Sequence, residues 1–490
     1  MLHEKSVFSC NGKLRILCSF APSFMERPMS TDAAKYEARL GSDRMLPLVF
    51  RMALPSVAAQ IVNLLYNIVD RIFIGRIPDI GTDALAGVGV TGSVIILISA
   101  FSMIVGGGAA PLASIALGQG NRERAGRILG NGFLLLAIFS VVTAGLVYLF
   151  MEPLLMLTGA SENTIGYATD YLRIYLAGTI FVQMAAGLNS FISAQGRPGI
   201  AMLSTVIGAL TNLVLDPVFI FALDMGVKGA ALATVISQAF SALWVLGFLF
   251  SPRASLRLDR EHLRLERKVI LAIFSLGVAP FVMAGTESIV GFVLNGSLKH
   301  YGDIYVSTLT ILQSAMMFGS VPITGFAQGF IPVISYNFGQ GNGGRVKECF
   351  RIAVITMFSF NFVLMFLMVL FPGTVASFFT EDPLLTAHVV EMAPYFLTGA
   401  MIFGLQRACQ NTFIALGQAK ISLFIALLRK VFLLVPLAML LPRAFGVEGV
   451  YLAESVADAT AAICCITIFA FTFKKILARG SGSAGTDRKS

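Results

Sequence analysis

The sequence predicts an all-α integral membrane protein: twelve transmembrane helices, arranged as two parallel six-helix repeats. Three observations carry this. Of 490 residues, 56% are hydrophobic and 13% charged, about half the charged share of roughly 25% that soluble domains carry. Apolar stretches of about 20 residues or more, each long enough to cross ~30 Å of hydrocarbon as a helix, recur throughout. An eleven-residue segment is written twice. A soluble core stops growing near about 250–300 residues and could not hide this much apolar surface.

The twelve spans fall at 46–73, 84–117, 128–151, 165–193, 199–223, 227–250, 269–297, 304–337, 347–370, 389–414, 421–442 and 448–473. The second and eighth exceed what a bilayer needs, which implies tilt or projection beyond it. A membrane barrel is excluded, because its strands would alternate over about 10 residues and these runs are continuous.

Lys and Arg set the orientation. The segment up to Arg51, the connectors after the even-numbered spans, and the C-terminal tail hold 27 of them. The opposite side holds five: Arg71, Arg76, Lys228, Lys299 and Arg443. By the positive-inside rule both termini of this multi-pass protein are cytoplasmic. The net charge of +9 is then a topology device, and no nucleic acid is expected as a partner.

The repeat is explicit. Residues 111–121 read PLASIALGQGN and residues 332–342 read PVISYNFGQGN, identical at six of eleven positions with an offset of 221. The same offset pairs Gly178 with Gly399, Gly196 with Gly417 and Gly81 with Gly302. It becomes 220 between GVKGAALAT at Gly226 and GVEGVYLAE at Gly446, and 225 between Pro55 and Pro280. Six spans return the chain to its starting side, so the halves share one orientation around an axis along the membrane normal. The expected divisions are a disordered cytoplasmic tail over 1–44, an N-lobe over 45–250, a basic linker over 251–268, a C-lobe over 269–475 and a cytoplasmic tail over 476–490. The tail is expected to be disordered because it has scattered charges, Pro22, Pro28 and no long apolar run; Met25, Met29 or Met45 could each begin a chain. The linker has helical spacing of Leu256, Leu263 and its arginines, which suits a segment lying along the membrane surface.

Ionisable side chains within the spans are costly there and are functional candidates. Asp216, in TNLVLDPVFIF, has Asn212 one turn before it on the same helix face. Pro217 follows and frees the carbonyl of Leu213 as it kinks the helix. A carboxylate, an amide and a free carbonyl suit a proton or a hard cation, since burial favours the neutral form of a carboxyl group. Asp70, in NIVDRIFIGR, either faces the interior or pairs locally with Arg71 or Arg76. Asn189 and Thr234 are oxygen bearers that could equally be interhelical glue. The second half breaks the symmetry: Leu437 and Leu433 stand where Asp216 and Asn212 would recur. It carries instead Glu287 in span 7, Arg407 in span 10, Arg429 and Lys430 in span 11, and Glu454 and Asp458 one turn apart in span 12. Those acids and bases should pair, as a structural network or as part of coupling. Met316, Met317, Phe318 and Phe326 pack, or else line a cleft with adaptable apolar surface. The glycines at 106–108 sit within a span as a packing or flexing feature.

The six cysteines show neither metal spacing nor a disulfide framework. There is no GxxxxGK[ST] phosphate loop and no HExxH. No cofactor and no enzyme activity are expected, and any uphill transport must draw on an ion gradient.

LGQGN after span 2, FGQGN after span 8, LDPVFIF in span 5 and GVKGAALAT entering span 6 together resemble the multidrug and toxic compound extrusion (MATE) family over about 45–475. GVEGVYLAESVAD and LLRKVFLLVPLAMLLP resemble its DinF-related, MepA-like branch. The resemblance implies a V-shaped pair of lobes, in a monomer, that exports amphiphilic, often cationic compounds in exchange for H⁺ or Na⁺. Carried over motif by motif, the family's first-lobe cation site falls on Asp70, Asn189, Asn212, Asp216 and Thr234. A second-lobe site used elsewhere in the family falls near Glu287, but its span 10 Asp is absent here, where Gln406, Arg407 and Gln410 stand. The rival expectation is a flippase for lipid-linked saccharides or another lipid-like substrate.

Overall fold

A computed structural model describes residues 31–78 and 80–486; the side chains of residues 31–33, 287–289, 292 and 479–486 lie outside the description. Among the described residues nine helices are long and apolar enough to cross a membrane. Two further spans are bent pairs, Ile165–Ala177 with Thr179–Ala194 at 60° and Pro383–Leu397 with Gly399–Ala415 at 43°. The last helical stretch, Ala419–Ala478, breaks at Gly446, whose φ of 62° is non-helical. That break divides it into spans 11 and 12, giving twelve. The final helix runs on to Thr486.

The repeat of the sequence is also a repeat of contacts. Ser114 Oγ donates to the carbonyl of Ala194 at 3.2 Å, and Ser335 Oγ, 221 residues on, donates to that of Ala415 at 2.8 Å. The Asn121 side chain caps span 3 through Arg124 N at 2.9 Å, and Asn342 caps span 9 through Arg345 N at 3.2 Å. The two bent spans break at Gly178 and at Thr398, next to Gly399, the glycine that the sequence offset matches with Gly178.

Close backbone approach joins the halves. A Cβ on Gly118 would lie 2.0 Å from the carbonyl of Tyr336, and one on Gly339 2.1 Å from that of Ile115. The glycines at 106–108 lie in a π-helical turn, Ile104–Ala109. There Gly108 abuts the backbone of Ile273 and Gly277 in span 7, as Gly329 abuts Ala53 in span 1. Small residues allow such contact between membrane helices.

Three apolar clusters reveal the shape. One contains residues of both halves, among them Leu48, Ala113, Leu129, Phe330, Phe413 and Phe469, all in the halves of the spans next to the GQGN loops. Toward the other end the clusters separate. One holds only first-half residues, such as Ile74, Leu172 and Val227, and one only second-half residues, such as Leu298, Met392 and Val450. Two bundles thus share a core at one end and part at the other.

Two segments differ from expectation. Residues 31–42 form a helix, Thr31–Ser42, rather than irregular tail, and residues 1–30 lie outside the described residues. The helix lacks an apolar run because it lies against the end of the bundle, with Glu37 and Leu40 buried one turn apart. The linker forms only a short 3₁₀ turn, Arg260–His262. It is irregular because Leu256 and Leu258, two apart, both insert into the core, where Leu256 N donates to Gln195 Oε1 at 2.9 Å.

Candidate functional site

Four spans of the first bundle supply one polar pocket. Span 1, Met45–Gly75, brings Tyr66 and Asp70 one turn apart; span 5, Pro198–Pro217, brings Asn212 and Asp216. Tyr171 and Tyr175 come from the first segment of span 4, and Thr234 and Gln238 from span 6. Spacing of four places each pair on one helix face. Asp70, Asn212, Asp216 and Thr234 are all buried, and Asp216 has no exposed surface.

Asn212 Nδ2 donates to Asp216 Oδ1 at 3.1 Å. The Asp216 carboxyl neighbours that of Asp70. Oδ2 of Asp216 and Oδ1 of Asp70 are buried and accept no hydrogen bond. Two carboxylates can bond only if one holds a proton, and two negative charges so close repel. The pocket therefore suits a single added positive charge. Tyr171 lies near Thr234, and Tyr66 near Gln238. The rings of Tyr171 and Tyr175 stack with centroids 6.4 Å apart. After Pro217 the helix widens into a π turn, Val218–Ala222, closed by Leu223 N donating to the carbonyl of Val218 at 2.9 Å. Such turns occur often at functional sites.

Asn189 stands elsewhere. Its Nδ2 donates to the carbonyl of Ala201 at 3.2 Å, and its Oδ1 accepts from Ser204 at 3.1 Å. Ser204 precedes Asp216 by twelve residues, about 18 Å of helix at 1.5 Å per residue. The structure thus gathers Asp70, Asn212, Asp216 and Thr234, while Asn189 ties span 4 to span 5. Sequence reasoning missed Tyr66, Tyr171, Tyr175 and Gln238. The signal was there for the tyrosines, since Tyr66 is one turn from Asp70 and Tyr171 one turn from Tyr175.

The second bundle has a different polar interior. A π turn over Leu428–Leu434 points Arg429 and Lys430 inward. Arg429 Nε bonds Asp458, its second nitrogen lies 3.4 Å from Glu454 Oε1, and Lys430 Nζ lies 3.5 Å from the same oxygen. The Arg429 guanidinium sits 4.4 Å over the ring of Phe403, with Arg407 at 4.8 Å from that ring. Leu433 and Leu437 are packed against the apolar cluster of the second bundle. The Glu287 side chain lies outside the described residues. Among the described residues no group of three or more His, Cys, Asp or Glu could hold a metal ion.

The cleft between the bundles starts beyond Gln60, whose Nε2 donates to Gln328 Oε1 at 3.1 Å. The stripe of span 1 that carries Ala53 and Val57 continues as Ile61, Leu65 and Ile68. That of span 8 through Gly329 and Gly325 continues as Met317 and Phe318. All five of these continuing residues are exposed, from 41% at Ile61 to 59% at Met317. Phe326, by contrast, is buried edge-on against Phe50.

Twin six-span bundles, joined at one end, with two neighbouring buried acids in one and a buried ion network in the other, define a membrane transport protein rather than an enzyme. The MatE family model matches residues 55–218 and 281–440, well over half of the chain, and the chain belongs to that family. It is 26% identical over 430 residues to the multidrug export protein MepA of Staphylococcus aureus, covering 86% of this chain and 92% of that one. It is 23% identical over 420 residues to MepA of Staphylococcus haemolyticus, with the same coverage. Among solved structures, a MATE in the bent conformation superposes with a TM-score of 0.84 at 22% identity, covering 92% of this chain and all of that one. A MOP superfamily transporter from Pyrococcus furiosus, described as having a binding pocket of reversed polarity, gives 0.83 at 23% identity, covering 92% and 99%.

Proposed function

We propose that this chain is a cation-coupled multidrug efflux antiporter. It exports amphiphilic, often cationic compounds across a bacterial cytoplasmic membrane in exchange for H⁺ or Na⁺. Both termini and the GQGN loops face the cytoplasm, so the structure is the outward-open member of an alternating-access pair. The neighbouring carboxyl groups of Asp70 and Asp216 carry this reading. They lie in a buried pocket that gains most from one added positive charge, with Asn212 and Thr234 completing the coupling site and Asn189 bracing span 5 behind it. Pro217 and the π turn after it give span 5 a place to bend when the site fills. The apolar walls at Leu65, Ile68, Met317 and Phe318 suit an amphiphilic cargo.

Coupling requires that cation and cargo prefer different facing states. Filling the Asp70–Asp216 pocket repacks the first lobe and lowers its hold on the cargo, which leaves outward. The flippase reading needs a basic cleft, whereas Arg429 and Lys430 are buried against Glu454 and Asp458. The test is dye accumulation in inverted vesicles with the proton and sodium gradients collapsed in turn. Loss of accumulation with one gradient names the cation, and undiminished coupled transport by Asp216→Asn would sink the assignment.

A further inference from the structure

The helix Thr31–Ser42 precedes the first span and lies across the joined end of the two bundles, where it touches both. Its grip on the second bundle is multiple, with one fully buried hydrogen bond and three half-buried ones. Asn337 Nδ2 donates to the carbonyl of Leu40 at 2.8 Å. Arg345 donates to the carbonyls of Leu40 at 3.2 Å and Asp43 at 2.9 Å, and through Nε to Asn337 Oδ1 at 2.7 Å. Gly41 lies so close to the span 8–9 loop that a Cβ there would meet the Gln340 amide at 2.7 Å.

Its grip on the first bundle is of another kind. Glu37 accepts from Arg122, just past the GQGN loop, at 2.9 Å. The Arg197 guanidinium, in the span 4–5 loop, lies 4.2 Å over the Tyr36 ring. Arg122 also reaches the carbonyl of Ser255 in the linker at 3.4 Å, so linker, loop and helix meet at one point. The Arg122 side chain is 45% exposed while that of Glu37 is 7% exposed. Burial pushes the Glu37 carboxyl above its usual range, and Arg122 only partly offsets this. An ion pair with one partner half in water is screened and weak.

We propose that this helix is a strap across the cytoplasmic end of the cleft, holding the outward-open state. When the transporter opens inward, the strap lets go of Arg122 and Arg197 of the first bundle, keeping only its two-residue link to span 1, and stays with the second at Asn337 and Arg345. This rests on the alternating-access reading above. A contact spanning both bundles where they join must break on one side for that end to open. The side that breaks is the one held by an ion pair with a solvent-facing partner, a ring contact and the approach of Gly196 to the Tyr36 carbonyl, rather than the one held by several hydrogen bonds, one of them fully buried.

The experiment uses the full chain with native cysteines replaced. In Glu37→Cys/Arg122→Cys a reducible bismaleimide ties the strap to the first bundle; in Gly41→Cys/Gln340→Cys it ties it to the second. Both variants transport dye when unlinked, and failure there indicts the transport reading instead. Linking the first pair is expected to cut transport by at least about tenfold, with recovery on reduction. Linking the second leaves transport unchanged. Undiminished transport with the first link closed, or equal loss with the second, overturns the strap. A second readout needs no transport: Glu37→Ala should speed labelling of Gln60→Cys by an impermeant maleimide from the cytoplasmic face. Unchanged labelling also overturns the proposal.

Discussion

The two bundles share a backbone and differ in charge. In the first, two acids neighbour each other with an amide and hydroxyls around them and, among the described residues, no base at hydrogen-bonding distance. In the second, two acids meet two bases and Leu433 and Leu437 fill the positions of Asn212 and Asp216. Duplication conserved what packs: the serine ties, the asparagine caps, the glycine crossings and the glycine bends. It did not conserve what titrates. Matched charges are satisfied by each other, whereas neighbouring acids call for a cation from outside the protein. On this reading one bundle holds the coupling cation and the other is held rigid by its own ions.

The comparison can be broken in several places. The largest effect belongs to Asp216→Asn, which keeps the shape and the bond to Asn212 and removes the charge. Gradient-driven dye accumulation should fall to the level of vesicles lacking the protein, with thermal stability retained. Next, Asp458→Ala leaves Arg429 with a buried charge short of a partner, a loss of about 3–5 kcal/mol. A marked drop in thermal midpoint in detergent checks this, and Arg429→Met with Asp458→Leu together should restore much of it. Gly118→Ala and Gly339→Ala each drive a Cβ into a carbonyl at the crossing of spans 2 and 8. Overpacking of this kind costs about 1–3 kcal/mol, and the two should lower the midpoint equally because the crossing is symmetric. The smallest effect is expected from Ser114→Ala and Ser335→Ala, about 1 kcal/mol each for one hydrogen bond, again equal.

Much of the architecture was legible because lipid forces it. Every span must be a continuous apolar run, so twelve runs could be placed, and the offset of 221 reappeared as Ser114 and Ser335 bonding to matched carbonyls. Segments outside the lipid obey no such rule. The helix Thr31–Ser42 has no apolar run to announce it, since among its described side chains only Glu37 and Leu40 are fully inserted. The linker's leucines serve a non-helical path that a helical spacing happened to mimic. Within the site, Asn212 and Asp216 were readable because they sit one turn apart on one helix. That Asp70 neighbours them depends on how spans 1 and 5 pack, which no local pattern encodes. Asn189 shows the converse: a motif match sets its place along span 4, while its partner on span 5 is Ser204, far from Asp216.

The central claim is that the first bundle's acids, and not the second bundle's ion network, hold the coupling cation. Cation flux driven by an imposed dye gradient in proteoliposomes tests it most directly, comparing Asp216→Asn with the charge-neutral pair Arg429→Met and Asp458→Leu. The account predicts no dye-driven cation flux in the first and wild-type stoichiometry in the second. Flux retained by Asp216→Asn and lost in the double variant would contradict it.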